Sequence, residues 1–305
     1  MQEGHLLTQE QIAVNAALTL STSPIRQAFE DFLLSRQAMR CTPATLAFYR
    51  YTAGAFVTWL ERQNVTYPEE VKSSRIREWL AGMPKARDTT VHAKARGVRT
   101  MLRFWLAEKY LPSPVSFAMP RLEKKMLPFL TPEQFKNALK AAPTARDRAI
   151  LLLLVDSGVR RAECLALTWG DVNFQTGAVL VRLGKGRKAR VTAIGAHTRR
   201  ALITYRRSRK VGEEDPLFQT DEGMRLSPMG LRSIFERLGK RAGFKISPHM
   251  LRRTCAVQSL RGGMDVITLQ KILGHASVEM TAHYCALLSD DVLSEHSKHG
   301  ADSWL

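Results

Sequence analysis

A mainly α protein with one small β-hairpin, divided into two domains, is the fold class this sequence predicts, on three observations. Apolar residues recur at three- and four-residue spacings through most of the 305 positions. A proline-bearing stretch after Leu111 lacks that spacing and interrupts the pattern. Two short apolar runs joined by glycines occur around Gly184-Lys185-Gly186, the arrangement of a hairpin.

Residues 1–23 show no clear apolar period and read as a short, non-basic, flexible extension. From Ser23-Pro24 onward, Ile25, Phe29, Phe32 and Leu33 fall on one helical face. Thr42-Pro43 supplies an N-cap followed by proline at the first helical position. Leu46, Tyr49, Ala53, Phe56, Val57 and Leu60 keep helical spacing behind it. A short helix is expected over 74–80, and from Thr90 the residues Val91, Ala95, Val98, Leu102 and Trp105 recur every three or four positions. These elements make a helical domain of residues 24–111, and 112–129, with Pro112, Pro114 and Pro120, reads as an extended linker.

The second domain, 130–305, restarts at Thr131-Pro132-Glu133-Gln134, where Thr at the cap and Gln three residues later form a capping box. Helices are predicted at about 132–141 and 145–156, the latter ended by Ser157-Gly158. Strands over 178–183 and 189–194 flank the glycine turn. Further helices follow near 196–209, 227–241, 249–261, 264–273 and 277–286, with a tail segment near 288–297.

Charge narrows the partner. Lys and Arg number 46 against 28 Asp and Glu, a net of +18, so the chain concentrates polyanions around itself. The basic residues recur along the whole chain and form no single basic amphipathic segment, which favours nucleic acid over a membrane surface. Arg96, Arg99 and Arg103 share one face of the helix from Thr90, and with Lys94 they are candidate DNA contacts, as are Arg187 and Lys188 beside the glycine turn. A plain solvated basic face is the competing reading for that helix. Cys41, Cys164, Cys255 and Cys285 are too scattered for a metal pattern and read as reduced packing residues. Ala149 to Val155, the longest apolar run, is too short for a bilayer, so a cytoplasmic protein is expected.

Four phrases in the second domain put cationic or proton-transferring side chains beside structural breaks: SGVRRAECLAL, LGKGRKAR, SPHMLRRT and LGHASVEMTAHY. Helix starts and tight turns hold side chains at fixed angles and leave backbone N–H groups facing outward, toward an anion. Singly, Arg160 reads as a surface arginine, Lys185 as a hairpin-tip lysine and His275 as a helix cap after Gly274. Together they form the ordered series Arg160, Lys185, His249-x-x-Arg252, His275 and Tyr284, the last nine residues after His275.

In these residues the chain closely resembles the tyrosine recombinase (phage integrase) family, over essentially its whole length. SGVRRAE is similar to the family's first-arginine motif and GKG to its hairpin lysine. His249-Met250-Leu251-Arg252 is similar to its His-x-Leu-Arg box, Leu273-Gly274-His275 to its Leu-Gly-His box, and Tyr284 to its nucleophile. The resemblance implies a C-shaped DNA clamp, in which a helical core-binding (SAM-like) domain closes on double-stranded DNA opposite a mixed α+β catalytic domain. It implies catalytic roles for Arg160, Lys185, His249, Arg252, His275 and Tyr284, an orienting role for Glu163, and neither metal nor cofactor. Arg253 stands where many members have His or Lys, so proton transfer at that position is not expected.

The implied reaction joins Tyr284 to a DNA 3′-phosphate and frees a 5′-hydroxyl, which a second duplex can replace without ATP. A free tyrosine has a pKa of about 10, so about one part in a thousand is phenolate at pH 7 and the pocket must offset that deficit. Arg160 and Arg252 suit the phosphate clamp because guanidinium stays charged and forks onto two oxygens. Lys185 is the implied general acid, and His249 and His275 share proton transfer. Recombining two duplexes implies a homo-tetramer on DNA and a monomer or weak oligomer off it. The apolar tail residues Ala286, Leu287, Leu288, Val292 and Leu293 dock either on a neighbouring subunit or on their own domain. A type IB topoisomerase, a dimer-resolving recombinase and a DNA-binding regulator with a dead pocket are the alternatives. The N-terminal extension and Arg253 incline the reading toward a mobile genetic element.

Overall fold

The computed structural model describes residues 23–122, 127–182, 189–207, 209–275 and 277–285. The extension 1–22, the turn residues Lys185, Arg187 and Lys188, and the tail from 286 onward lie outside them. The chain divides into two compact units, Met1–Lys124 and Lys125–Leu305. It is mainly helical with one two-stranded antiparallel sheet among the described residues.

In the first unit, α1 (Pro24–Ala38), α2 (Pro43–Tyr49), α3 (Ala55–Arg62), α4 (Ser73–Ala81) and α5 (Asp88–Ala107) surround one core. Ser23 and Thr42 cap α1 and α2 through their hydroxyls, each with proline at the first helical position. Phe32, Phe56, Leu60 and Trp105 are fully buried, and each contributes about 1.5–3 kcal/mol by leaving water. The Trp105 indole N–H donates to the Ala28 carbonyl at 3.0 Å, so the largest core side chain leaves no buried donor unmet.

The continuous helix expected behind Thr42 is interrupted by a π-helical turn, Arg50–Gly54. The cause is a close crossing. Thr52, Ala53 and Gly54 are buried, and a Cβ at Gly97 of α5 would lie 2.0 Å from Thr52 Oγ1. The wider turn bulges the backbone onto α5 where only glycine leaves room.

The second unit holds α6 (Pro132–Ala141), α7 (Ala145–Ser157), α8 (Arg161–Ala166), β1 (Ala178–Val181), β2 (Arg190–Ala193), α9 (Ala196–Arg206), α10 (Pro228–Ala242), α11 (Pro248–Arg261), α12 (Val266–Leu273) and α13 (Val278–Cys285). The capping box at α6 forms in both directions, Thr131 N to Gln134 Oε1 at 3.0 Å and Gln134 N to Thr131 Oγ1 at 3.2 Å. Leu151, Leu154, Leu202, Phe218 and Leu251 fill the core. Trp169 belongs to it as well, stacked on Phe174.

Both strands are shorter than the apolar runs suggested, and their register pairs Ala178 with Ala193 and Val181 with Arg190. Alternation turns Val179, Val181 and Thr192 inward and leaves Leu180 and Val191 exposed, which puts Arg190 on the inner face. α9 ends at Arg206, short of 209, and Arg209 instead donates to the Thr220 carbonyl at 2.8 Å. α12 begins at Val266, two residues later than expected, because Asp265 is its cap and accepts from the Ile267 and Thr268 amides at 2.9 and 2.8 Å. No helix among the described residues is long and apolar enough to cross a membrane.

Replacing Gly97 by Ala should destabilise the first unit by about 1–3 kcal/mol through overpacking against Thr52. Urea denaturation followed by tryptophan fluorescence measures this, and an unchanged midpoint would contradict the crossing described.

Candidate active site

Four chain segments bring the candidate residues of the second unit together. α7 ends in left-handed Gly158, and Arg160 follows as the residue capping α8. Ser247 caps α11, so His249 sits in its first turn and Arg252 one turn further in. α12 ends in Gly274 at φ +65°, a conformation that delivers His275 directly behind the turn. Tyr284 lies near the end of α13.

Glu163 ties the arginines into one network. Its carboxylate accepts from the Arg160 backbone N–H at 2.8 Å and from Arg160 Nη1 at 2.8 Å. Arg190 reaches the same group with both ends of its fork, Nη1 to Oε1 at 2.9 Å and Nη2 to Oε2 at 2.7 Å. Burial alone would push the Glu163 carboxyl up, but hydrogen bonds from Arg190 and Arg160 outweigh it and hold the group down at about 2. Arg160 Nη2 also donates to the Gly274 carbonyl at 2.8 Å.

Arg252 is the most enclosed cation of the site, 5% exposed. It donates from Nη1 to the Gly158 carbonyl and from Nη2 to the Leu273 carbonyl at 2.7 Å. Burial first, and then the neighbouring Arg160 charge, lower its pKa to about 10, so it remains protonated near neutrality.

The two histidines are neutral for related reasons. Burial and the charges of Arg253, Arg252, Arg161 and Arg160 lower His249. Burial and the charges of Arg252, Arg160 and Arg190 lower His275 to about 4. His275 Nδ1 shares a 2.8 Å hydrogen bond with Thr281, which is fully buried. The imidazole stacks against the Tyr284 ring with centroids 6.0 Å apart and planes 23° apart. Tyr284 also packs on Ala256, Leu269 and Leu273. A cleft of about 820 Å³ opens beside His249, lined by Arg161, Phe235, Lys240 and Lys245 among others.

Arg160, Glu163, His249, Arg252, His275 and Tyr284 therefore come to one place in the fold, while Lys185 lies outside the described residues. Arg253 donates from Nη1 to the Pro128 carbonyl at 3.4 Å and acts on His249 through its charge. Arg190 was not singled out from sequence. It closes the phrase LGKGRKAR on the strand after the glycine turn, but that place does not show that its fork faces Glu163. No group of three or more metal-ligating side chains occurs among the described residues.

Three guanidinium groups against one carboxylate leave a surplus positive charge, an arrangement that binds an oxyanion. The family model that matches residues 128–290, more than half of the chain, is that of the phage integrase family. The chain belongs to the phage integrase family. A tyrosine recombinase XerC of Pelobacter propionicus is 31% identical over 290 residues, covering 90% of this chain and 95% of the relative. A tyrosine recombinase XerA of Saccharolobus solfataricus is 28% identical, covering 83% and 86%. Among solved structures, a XerA recombinase is 26% identical with a TM-score of 0.52, covering 90% of this chain and 98% of that one. The Tn1549 transposon integrase in complex with a circular intermediate DNA shares the fold with a TM-score of 0.72, at 18% identity over 86% of this chain and 95% of that one. The chain is thus a tyrosine recombinase, an enzyme of DNA breakage and rejoining.

In the first unit of the recombinase the basic candidates lie over aromatic rings. Lys94 Nζ is 5.6 Å from the Tyr51 ring and 5.3 Å from Trp79, while Arg96 covers Phe48 at 5.0 Å. Arg99 covers Phe117 at 5.6 Å, and Arg103 is exposed.

Glu163 gives a pH prediction with a definite sign. Its folded pKa is lowered from the ordinary 4.5 to about 2, so its stabilisation is present above the unfolded value and fades as pH falls between them. The melting-temperature gap between wild type and Glu163→Gln should be widest above pH about 5 and close on acidification. A gap independent of pH would contradict this.

Proposed function

We propose that the recombinase carries out site-specific recombination with Tyr284 as nucleophile. The tyrosine oxygen forms a bond to a DNA phosphorus while the bond from phosphorus to the 5′-oxygen breaks. The 3′-phosphotyrosine conserves the phosphodiester, and the freed 5′-hydroxyl of another strand reverses the step on a new partner. Arg160 and Arg252 hold the non-bridging oxygens, Lys185 protonates the departing 5′-oxygen, and His249 and His275 hydrogen-bond the phosphate and take part in moving the tyrosine proton. One observation carries this reading: Arg160, Arg252 and the stacked His275–Tyr284 pair converge around Glu163 in a site with surplus positive charge.

Double-stranded DNA carrying the recombination site is the partner, with a homo-tetramer forming on it and a monomer or weak oligomer free in the cytoplasm. The first unit serves as the core-binding domain, where Lys94, Arg96, Arg99 and Arg103 contact phosphates, and Arg187 and Lys188 add contacts from the second unit. A mobile genetic element is the biological setting we favour, on Arg253 and the N-terminal extension. The Xer relatives favour a second setting, resolution of replicon dimers.

Selecting binding sites from a random duplex library, then placing a nick beside the cleavage position, traps the covalent adduct. Tyr284→Phe should abolish the adduct while holding DNA affinity within about threefold. Arg160→Ala should slow its formation by about 10²–10³-fold. An adduct surviving in the Phe variant would sink the proposal. Deleting 288–305, which lie outside the described residues, should impair cooperative assembly in a gel shift. Unchanged complexes would assign the tail to its own domain.

A further inference from the structure

We infer that Arg190 is a positioning residue for strand cleavage: it fixes Glu163, and through it Arg160, while holding the Ile272–Gly274 turn that presents His275. The inference rests on the proposed roles of Arg160 and Tyr284, and it concerns a residue that the motif pattern does not contain.

The geometry turns the Arg190 side chain into the protein. Register places it opposite Val181 on the inner face of the hairpin, and its side chain is 11% exposed. Nη1 and Nη2 take both oxygens of Glu163, and Nε donates to the Ile272 carbonyl at 2.9 Å. With all three nitrogens of its rigid fork engaged, the group is held in plane, and swinging toward a phosphate would break these bonds. Each acceptor leads to a separate part of the site. Glu163 passes the constraint to Arg160 through two bonds of 2.8 Å. Ile272 belongs to the turn whose Gly274 carbonyl also accepts from Arg160. That turn lies on the Arg190 side chain, for a Cβ at Gly274 would come within 2.8 Å of Arg190 Cδ. One arginine thus sets the distance between the α8 cap and the α12 end, and the phosphate must fit between the groups these carry.

Lysine cannot replace this fork, because an ammonium is a point charge that meets two carboxylate oxygens and a carbonyl with poorer geometry. Losing Arg190 also removes the strongest influence lowering the Glu163 pKa, which would rise and weaken the hold on Arg160.

The test uses the full-length protein and a nicked duplex carrying the selected site, in single turnover at saturating enzyme, where the rate constant is insensitive to a minor unfolded fraction. Two substrates are compared, one with the natural 5′-oxygen leaving group and one with sulfur, which departs without protonation. Arg190→Ala and Arg190→Lys should each slow adduct formation about 10–100-fold, the scale typical of residues that orient others. The loss should be equal on both substrates, with DNA affinity within about threefold of wild type. Lys185→Ala, the contrasting control, should recover on sulfur. Arg190→Ala combined with Glu163→Gln should lose less than the product of the two single losses, since the two residues share one contact while each also has a contact of its own. If Arg190→Ala does not fold by circular dichroism, Arg190→Lys, which retains the stem and the charge, carries the test.

Wild-type rates in the Arg190 variants overturn the inference while leaving the nucleophile assignment intact. Rescue by sulfur overturns it by moving Arg190's action to the leaving group, and multiplying losses in the double variant overturn the shared contact. No adduct from wild-type protein overturns both this inference and the proposed function.

Discussion

Glu163 is the carboxylate on which the cationic site depends. Arg160, Arg190 and Arg252 are gathered within one small region, and like charges in a half-buried setting repel strongly. A single anion that accepts from the backbone of Arg160 and from two guanidinium groups makes the gathering tolerable without neutralising it. The residual positive charge is what an incoming phosphate meets. A second carboxylate here would weaken the attraction; none at all would leave the arginines free to splay apart. Breaking such a pair costs more than the pair itself contributes, because a buried charge is left alone.

The remaining arginine bonds draw on helix ends. The last carbonyls of a helix have no partner inside it and carry partial negative charge. α7 and α12 both stop at glycines with positive φ, and both turn such carbonyls toward the site. Gly158 and Leu273 supply acceptors to Arg252, and Gly274 supplies one to Arg160. Neutral backbone acceptors orient guanidinium groups without consuming their charge, which a carboxylate could not do. The sequence phrases beside structural breaks and the arginine orientation are therefore linked physically: the breaks expose the carbonyls that aim the cations.

Much of this was legible in the sequence because caps and turns are local. Ser23, Thr42 and Thr131 announce their helices through one hydroxyl and the residues just after it. The ordered series from Arg160 to Tyr284 carries the family likeness for the same reason, since each member sits in a short phrase. What stayed hidden depends on encounters between distant segments. The π-turn at Arg50–Gly54 answers to Gly97, more than forty residues away, and no periodicity at Thr52 records that neighbour. Arg190 looks like any strand arginine until register turns it inward to meet Glu163. The basic face of α5 shows a third case. Spacing put Arg96, Arg99 and Arg103 on one side, but only the fold reveals that Arg96 and Arg99 lie over aromatic rings contributed by other segments.

The histidines connect this architecture to the timing of chemistry. Before DNA arrives, burial and the surrounding guanidinium charges hold His249 and His275 neutral, so the site concentrates its positive charge in arginines that cannot release a proton. In the proposed mechanism a phosphate held by Arg160 and Arg252 offsets part of the surplus positive charge, which makes protonation of an imidazole easier. His275 is already bound to Thr281 and stacked on Tyr284, which fixes its ring beside the proposed nucleophile. An imidazole that is neutral without substrate and more basic with it can accept a proton at the stage when the tyrosine must give one up. In the proposed mechanism the arginines would then do more than clamp the phosphate: by depressing the histidines before it binds, they would tie the basicity of an imidazole to the presence of DNA.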